Sequence, residues 1–192
     1  MTTRRYRLRP GNTFAAVLVH NDDSKLLSRL GHDHVVRANE FTSTVAIDTD
    51  NPGELRFSLD FPVHDLVVDD PADRRRVGLN GKVSDKDRRT TRKNMLAKDQ
   101  LNADEWGTLA FRVDGAVPDG DNWLLKASLK IRGKSHDFDF PVSVQFSPQL
   151  VVSGRVELDH SDLGLKPYRA PMGTLRNREE LTFVVEVDAA PL

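Results

Sequence analysis

Cysteine is missing from the chain altogether, which removes disulfide frameworks, thiol catalysis and thiolate metal sites. Charge imbalance is missing too. The 28 Lys and Arg stand against 29 Asp and Glu, net −1, so no global field draws nucleic acid or anionic membrane. No apolar run approaches the roughly 20 residues of a membrane helix. The polar start Met1-Thr2-Thr3-Arg4-Arg5 is not followed by the apolar core of a signal peptide. These absences lead to the expectation of a cytoplasmic protein that does not span a membrane. Catalytic signatures are equally scarce: there is no G-x-S-x-G elbow, H-E-x-x-H helix, Walker loop or G-x-G-x-x-G turn.

Period-two alternation is what the chain does have. In Leu55-Arg56-Phe57-Ser58-Leu59-Asp60-Phe61 every odd position is apolar and every even one polar. Phe41, Val45 and Ile47 mark an earlier strand. Later ones are marked by Leu109/Phe111/Val113, Trp123/Leu125/Ala127/Leu129/Ile131 and Phe138/Phe140/Val142/Val144/Phe146. Val152/Val156/Leu158 and Leu181/Phe183/Val185/Val187 complete the set. Successive strand residues face opposite ways, so each stretch is half buried, as in antiparallel sheets with one wet face. Turn residues punctuate the strands at Asn51-Pro52-Gly53, at Pro118-Asp119-Gly120-Asp121-Asn122 and at Arg132-Gly133-Lys134-Ser135. The second of these reads as a hairpin with a long loop.

One segment breaks the pattern. Ser84 and Asp87 have capping-box spacing, and the charged stretch to about Ala97 predicts an exposed helix over about 84–97, anchored by Met95 and Leu96. Leu26-Leu27 to Leu30 reads as a short helical turn before Gly31. The 192 residues fit one domain spanning 1–192, large enough to remove roughly 70% of its unfolded surface from water. About eight such strands close into an antiparallel β-barrel or stack as a sandwich. A barrel of that size is filled by side chains or holds one small ligand. Its many Phe serve either outcome.

Gly31-His32-Asp33-His34 is the stretch with chemical character. On a strand, His32 and His34 share a face and two imidazoles there suit a divalent metal, with His64 and His136 as further candidates. The bland alternative has both His hydrogen-bonded at a barrel mouth. An H-x-H pair also opens the cupin metal motif. Here five residues separate His34 from Glu40, and Pro171-Met172-Gly173 is followed by no His, so the cupin reading fails. Ser135-His136-Asp137 has triad letters, but neighbours on a strand face opposite ways. Asp69-Asp70 and Asp85/Asp87 read as turn and cap residues. Arg74-Arg75-Arg76, with Arg88, Arg89, Arg92 and Lys93, reads as a solvated face rather than a phosphate site.

The order of several segments resembles the YceI-like family of lipocalin-like barrels, from about Phe14 to Val187. Gly31-His32-Asp33-His34 with Phe41 is similar to the opening of one branch. Leu66-Val67-Val68-Asp69 and the charged helix match its middle, and Leu129-Ile131-Gly133 leading into Phe138-Asp139-Phe140-Pro141-Val142 matches its central hairpin. Ser161-Asp162-Leu163-Gly164-Leu165 before Pro167-Tyr168 resembles the family's S-D-F-G-I segment. Leu163 departs from the aromatic usual there, and Trp106 replaces a typical proline.

The resemblance implies a lipocalin-like β-barrel that binds or carries a long apolar molecule, isoprenoid or fatty-acyl, without catalysis. Its wall would be Phe41, Phe57, Leu59, Phe61, Phe111, Trp123, Leu125, Phe138, Phe140 and Phe183. His32, His34 or Tyr168 would meet a polar head group at the mouth. No cofactor is expected beyond a divalent metal on His32 and His34 in the competing reading. The expected partner is an apolar small molecule or lipid, not nucleic acid, and a homodimer is left open. A third reading is a scaffold acting through its outer surface near the charged helix.

Overall fold

The alternating segments all become strands in the computed structural model, which describes residues 3–22, 24, 31–48, 50–146, 149–170 and 175–192. The helical turn expected at Leu26 to Leu30 and Pro171-Met172-Gly173 lie outside the described residues. Among the described residues there are eleven strands: β1 (Thr3–Leu8), β2 (Thr13–Asn21), β3 (His34–Arg37), β4 (Ser43–Asp48), β5 (Phe57–Pro62), β6 (Val67–Val68), β7 (Thr108–Asp119), β8 (Asn122–Ile131), β9 (Lys134–Gln145), β10 (Leu150–Asp159) and β11 (Asn177–Ala189). Two α-helices, α1 (Pro71–Arg76) and α2 (Asp85–Leu96), follow β6.

Nine strands pair in the order β5-β7-β8-β9-β10-β11-β2-β3-β6, every pair antiparallel. The two edges of this sheet, β5 and β6, are consecutive in the chain. Pro62 and Val67 are five residues apart and joined through a 3-10 turn at Val63–Asp65, so the edges lie within about 17 Å of each other. A sheet of nine strands can satisfy that only by curling on itself. The separate β1–β4 ribbon lies alongside the curl. Ser43 Oγ donates to Ser58 O of β5 at 2.9 Å, and Tyr6 bridges to Pro191 beyond β11.

The turns explain how long strands reverse so tightly. Arg132 and Gly133, at φ 49° and 76°, form a two-residue turn of the type I′ kind between paired Ile131 and Lys134. The hairpin expected to carry a long loop is just as tight: Asp119 pairs with Asn122, leaving only Gly120 and Asp121 between the strands. A bulge between Val113 and Gly115 shifts the inward face of β7 from odd residues to even ones. Val113 and Ala116 are therefore both buried. Phe41 precedes β4 instead of sharing its face.

Burial separates the two faces of β2. Phe14, Ala16 and Leu18, on the outer face, are buried beneath Val77 and Leu79, which follow α1. Ala15, Val17 and Val19, on the inner face, are only half buried. Phe57, Phe111, Phe138 and Phe183 also point inward and are also half buried. Inward apolar residues that keep accessible surface mean that the barrel is hollow.

Candidate functional site

The hollow is a cavity of about 570 Å³. Phe57, Leu59 and Phe61 reach it from β5, and Phe111 from β7. Trp123 and Leu125 come from β8, Phe138 and Phe140 from β9, and Phe183 from β11. Tyr168, His32 and His34 line it as well. Phe41 does not. It stands behind the wall, edge-on to Phe61 with ring centroids 5.4 Å apart. Phe111 is the hub of the aromatic wall, 6.1 Å from Phe57 and 6.4 Å from both Phe138 and Phe140. The rings contact one another at tilted or edge-on angles and leave space between walls, so they line the interior without plugging it.

Many of the polar lining residues come from the start of β3 and from α2. Ser84 caps α2 by accepting the Asp87 N–H at 3.1 Å, close to the expected start. The cavity-lining residues of α2 are Asp87, Thr90, Thr91, Asn94 and Met95, spaced as one helical face. Asp87 and Thr90 are also exposed, so the cavity reaches solvent beside this helix. Sequence patterning missed this face because it is polar. The helix reads as charged on all sides unless the i, i+3, i+4, i+7 spacing is followed through hydroxyls and an amide. Asn21 and Asn177, at the ends of paired strands β2 and β11, add two more amides.

His34 opens β3 and is fixed from behind. Its Nδ1–H donates to Asp69 Oδ2 at 2.6 Å, leaving Nε2 as the ring nitrogen without that bond. Asp69 is 1% exposed and also accepts the Val35 N–H at 3.0 Å and Arg74 Nη1 at 2.8 Å. Burial pushes its carboxyl up, but the donors from His34, Val35 and Arg74 outweigh that and hold it below its ordinary value. Arg74 Nη1 donates as well to Asp33 O at 2.7 Å, which ties α1 to the segment before β3. Two expectations change here. Arg74, expected on a solvated face, is 5% exposed and ion-paired. Asp69, expected as a turn residue, is the acceptor at the centre of a buried network, whereas Asp70 does cap α1 through Ala72 N–H.

The other candidate ligands stay apart. His64 and His136 are not among the lining residues. His136 lies instead against Gly164, and the His64 carbonyl accepts from Arg92. Among the described residues no three His, Asp or Glu side chains gather as metal ligands. A histidine outside the expected set does line the cavity: buried His160, whose Nδ1–H donates to Glu179 O at 2.7 Å. It begins the 3-10 turn His160–Leu163, where Asp159 and Asp162 form a reciprocal cap and Gly164 closes the turn at φ 65°. Leu163, in the place of an aromatic, is buried and lines the cavity. No helix of the described residues is long and apolar enough to cross a membrane.

Comparison with known proteins places this geometry. BcnA of Burkholderia cenocepacia superposes with a TM-score of 0.64 at 13% identity, over 93% of this chain and 96% of that one. A polyisoprenoid-binding domain of Saccharophagus degradans, implicated in plant cell wall breakdown, superposes with a TM-score of 0.58 at 12% identity, over 99% of this chain and 100% of that one. The YceI protein of Campylobacter jejuni follows with a TM-score of 0.54 at 12% identity, over 81% and 83%. Identities this low speak for the fold alone. No curated protein matches the sequence. A model of the YceI-like domain matches residues 18–187, which is most of the chain, and the protein therefore belongs to the YceI-like family.

Proposed function

We propose that the protein binds a long apolar molecule, of isoprenoid or fatty-acyl type, inside the barrel. One observation carries this reading: a cavity of about 570 Å³ walled by aromatic and aliphatic side chains, within the size range of small-molecule sites. Transfer of an alkyl chain from water into such a space gains about 0.8 kcal/mol per CH₂. Ten such groups gain roughly 8 kcal/mol, enough to exceed association costs of several kcal/mol. The polyisoprenoid-binding description of the Saccharophagus domain points the same way.

The polar residues then sort by role. His34, Tyr168 and the Thr90, Thr91 and Asn94 face of α2 hold the ligand's polar end, while its chain runs between Phe111 and Phe183. His34 serves this purpose because Asp69 fixes its ring and leaves Nε2 for the ligand. Such a role is one of binding, with no covalent step asked of any residue.

Native mass spectrometry of freshly purified protein tests the proposal. The expected spectrum carries an added mass that organic extraction removes and that is identified as an apolar chain. Protein that emerges clean, and that stays clean after incubation with farnesol or palmitic acid, would overturn it.

A further inference from the structure

Helix α2 has a second row of side chains beside the one that lines the cavity. Lys86, Arg89 and Lys93 follow i, i+3, i+7 spacing and are all exposed, forming one stripe. Lys86 lies one turn from Thr90, so the stripe borders the exposed, cavity-lining row of the same helix. The helix carries five Lys and Arg against two Asp, an excess of three positive charges in a chain whose net charge is −1. Both of its acids are already engaged: Asp85 pairs with Arg88, and Asp87 accepts from Ser84 Oγ at 2.7 Å. Arg92 is engaged as well, donating to His64 O. Among the described residues the side chains of Lys86, Arg89 and Lys93 have no hydrogen bond or ion pair.

Three exposed cations without a hydrogen-bonded or ion-paired partner thus flank the place where the cavity reaches solvent, Arg89 being only within the field of Asp85. We infer that this face of α2 docks the protein on an anionic lipid surface, with the cavity mouth turned toward the membrane. This rests on reading the cavity as a site for an apolar chain, because such a molecule resides in a bilayer and is scarce in water. A mouth held against the headgroups lets the chain move from bilayer to barrel without crossing water as a free solute. Nucleic acid fits the stripe less well. No aromatic side chain is interleaved with it, so stacking has no platform, and nucleic acid would not account for its position at an apolar mouth.

Each Lys or Arg held near an anionic surface strengthens attachment about fivefold. Neutralising all three therefore weakens binding about a hundredfold. The test is cosedimentation at low salt with phosphatidylcholine vesicles, with and without about 30% phosphatidylserine. Wild-type protein is expected to sediment with the anionic vesicles only, and to be released as salt screens the surface. The Lys86→Gln/Arg89→Gln/Lys93→Gln variant is expected to stay in the supernatant. An Arg5→Gln/Arg7→Gln/Arg9→Gln variant removes the same charge from exposed positions in and just after β1 and is expected to sediment like wild type. Circular dichroism checks that all three proteins are folded. Wild type that ignores anionic vesicles, a helix variant that still sediments, or equal loss in both variants would overturn the inference. Equal capture by duplex DNA at the same salt would also overturn it. Vesicle binding is read without any cavity ligand, so its failure is separable from failure of the mass-spectrometric test.

Discussion

At the scale of single residues, Asp69 ties the most together. It sits at φ 52°, a left-handed conformation that Asp tolerates better than most residues. From there its carboxylate collects His34, Val35 and Arg74. Asp69→Asn removes the charge that balances buried Arg74, and loss of one partner from a buried pair costs about 3 kcal/mol. Urea unfolding at neutral pH is expected to show that loss. The pH dependence has a definite sign. The folded Asp69 carboxyl titrates below its unfolded value of about 3.9. Its contribution is therefore complete above about pH 4 and is lost as pH falls through the depressed folded value. Asp22, lowered to about 2 by Ser24 and Arg176, adds to the same acid slope and remains in the variant. Between about pH 5 and pH 3, stability should fall less steeply in Asp69→Asn than in wild type. An unchanged slope would show that Asp69 does not carry this linkage. The network was hidden in the sequence because His34 and Val35 are 35 and 34 residues from Asp69, and because Arg74, 5 residues away, reads as one member of a surface charge run.

At the scale of elements, strand periodicity was readable in most strands with one face to the interior and the other to water. It was not readable in β1, whose alternation around buried Tyr6 and Leu8 is masked by its run of arginines. β5, β8, β9 and β11 follow the pattern that Phe57, Trp123, Phe138 and Phe183 announce. β2 was invisible to the same rule. Its outer face is covered by the segment after α1 and its inner face lines the cavity, so Thr13-Phe14-Ala15-Ala16-Val17-Leu18-Val19 runs apolar on both sides. β10 shows the opposite case, an inward position that needs no side chain at all. A Cβ on Gly154 would lie 2.8 Å from Pro141 O and from Val142 Cγ1, and 3.2 Å from Phe140. The carbonyl belongs to the neighbouring strand's backbone and cannot turn away. Gly154→Val is expected to destabilise the fold by about 1–3 kcal/mol through overpacking, measured as a lower urea midpoint. A variant as stable as wild type would mean that β9 and β10 can separate there without loss.

For the whole molecule, the hollow interior is the property that alternation alone left undecided. Inward Phe residues serve a solid core and a lined cavity equally well, and only the curvature of the curled sheet sets how far opposite walls stand apart. Val185 tests the consequence. It is half buried, lines the cavity and packs in the same cluster as Phe111, Phe57 and Trp123. Val185→Trp puts an indole into the space where an apolar chain would lie, while the surface it covers gains partners. Its own stability should change little, because the added atoms enter open volume instead of a packed core. A ligand present at about a hundred times its Kd stabilises the folded state by about 2.7 kcal/mol. For a chain of this length that raises Tm by about 5–10 °C. Wild-type protein with saturating farnesol or palmitic acid is expected to show that rise, and Val185→Trp to melt at one temperature with or without it. If the variant keeps the full shift, the ligand is bound outside the barrel and the wall around Phe111 is not its site. If both proteins lack the shift, neither chain enters the barrel, and the isoprenoid or fatty-acyl reading is overturned.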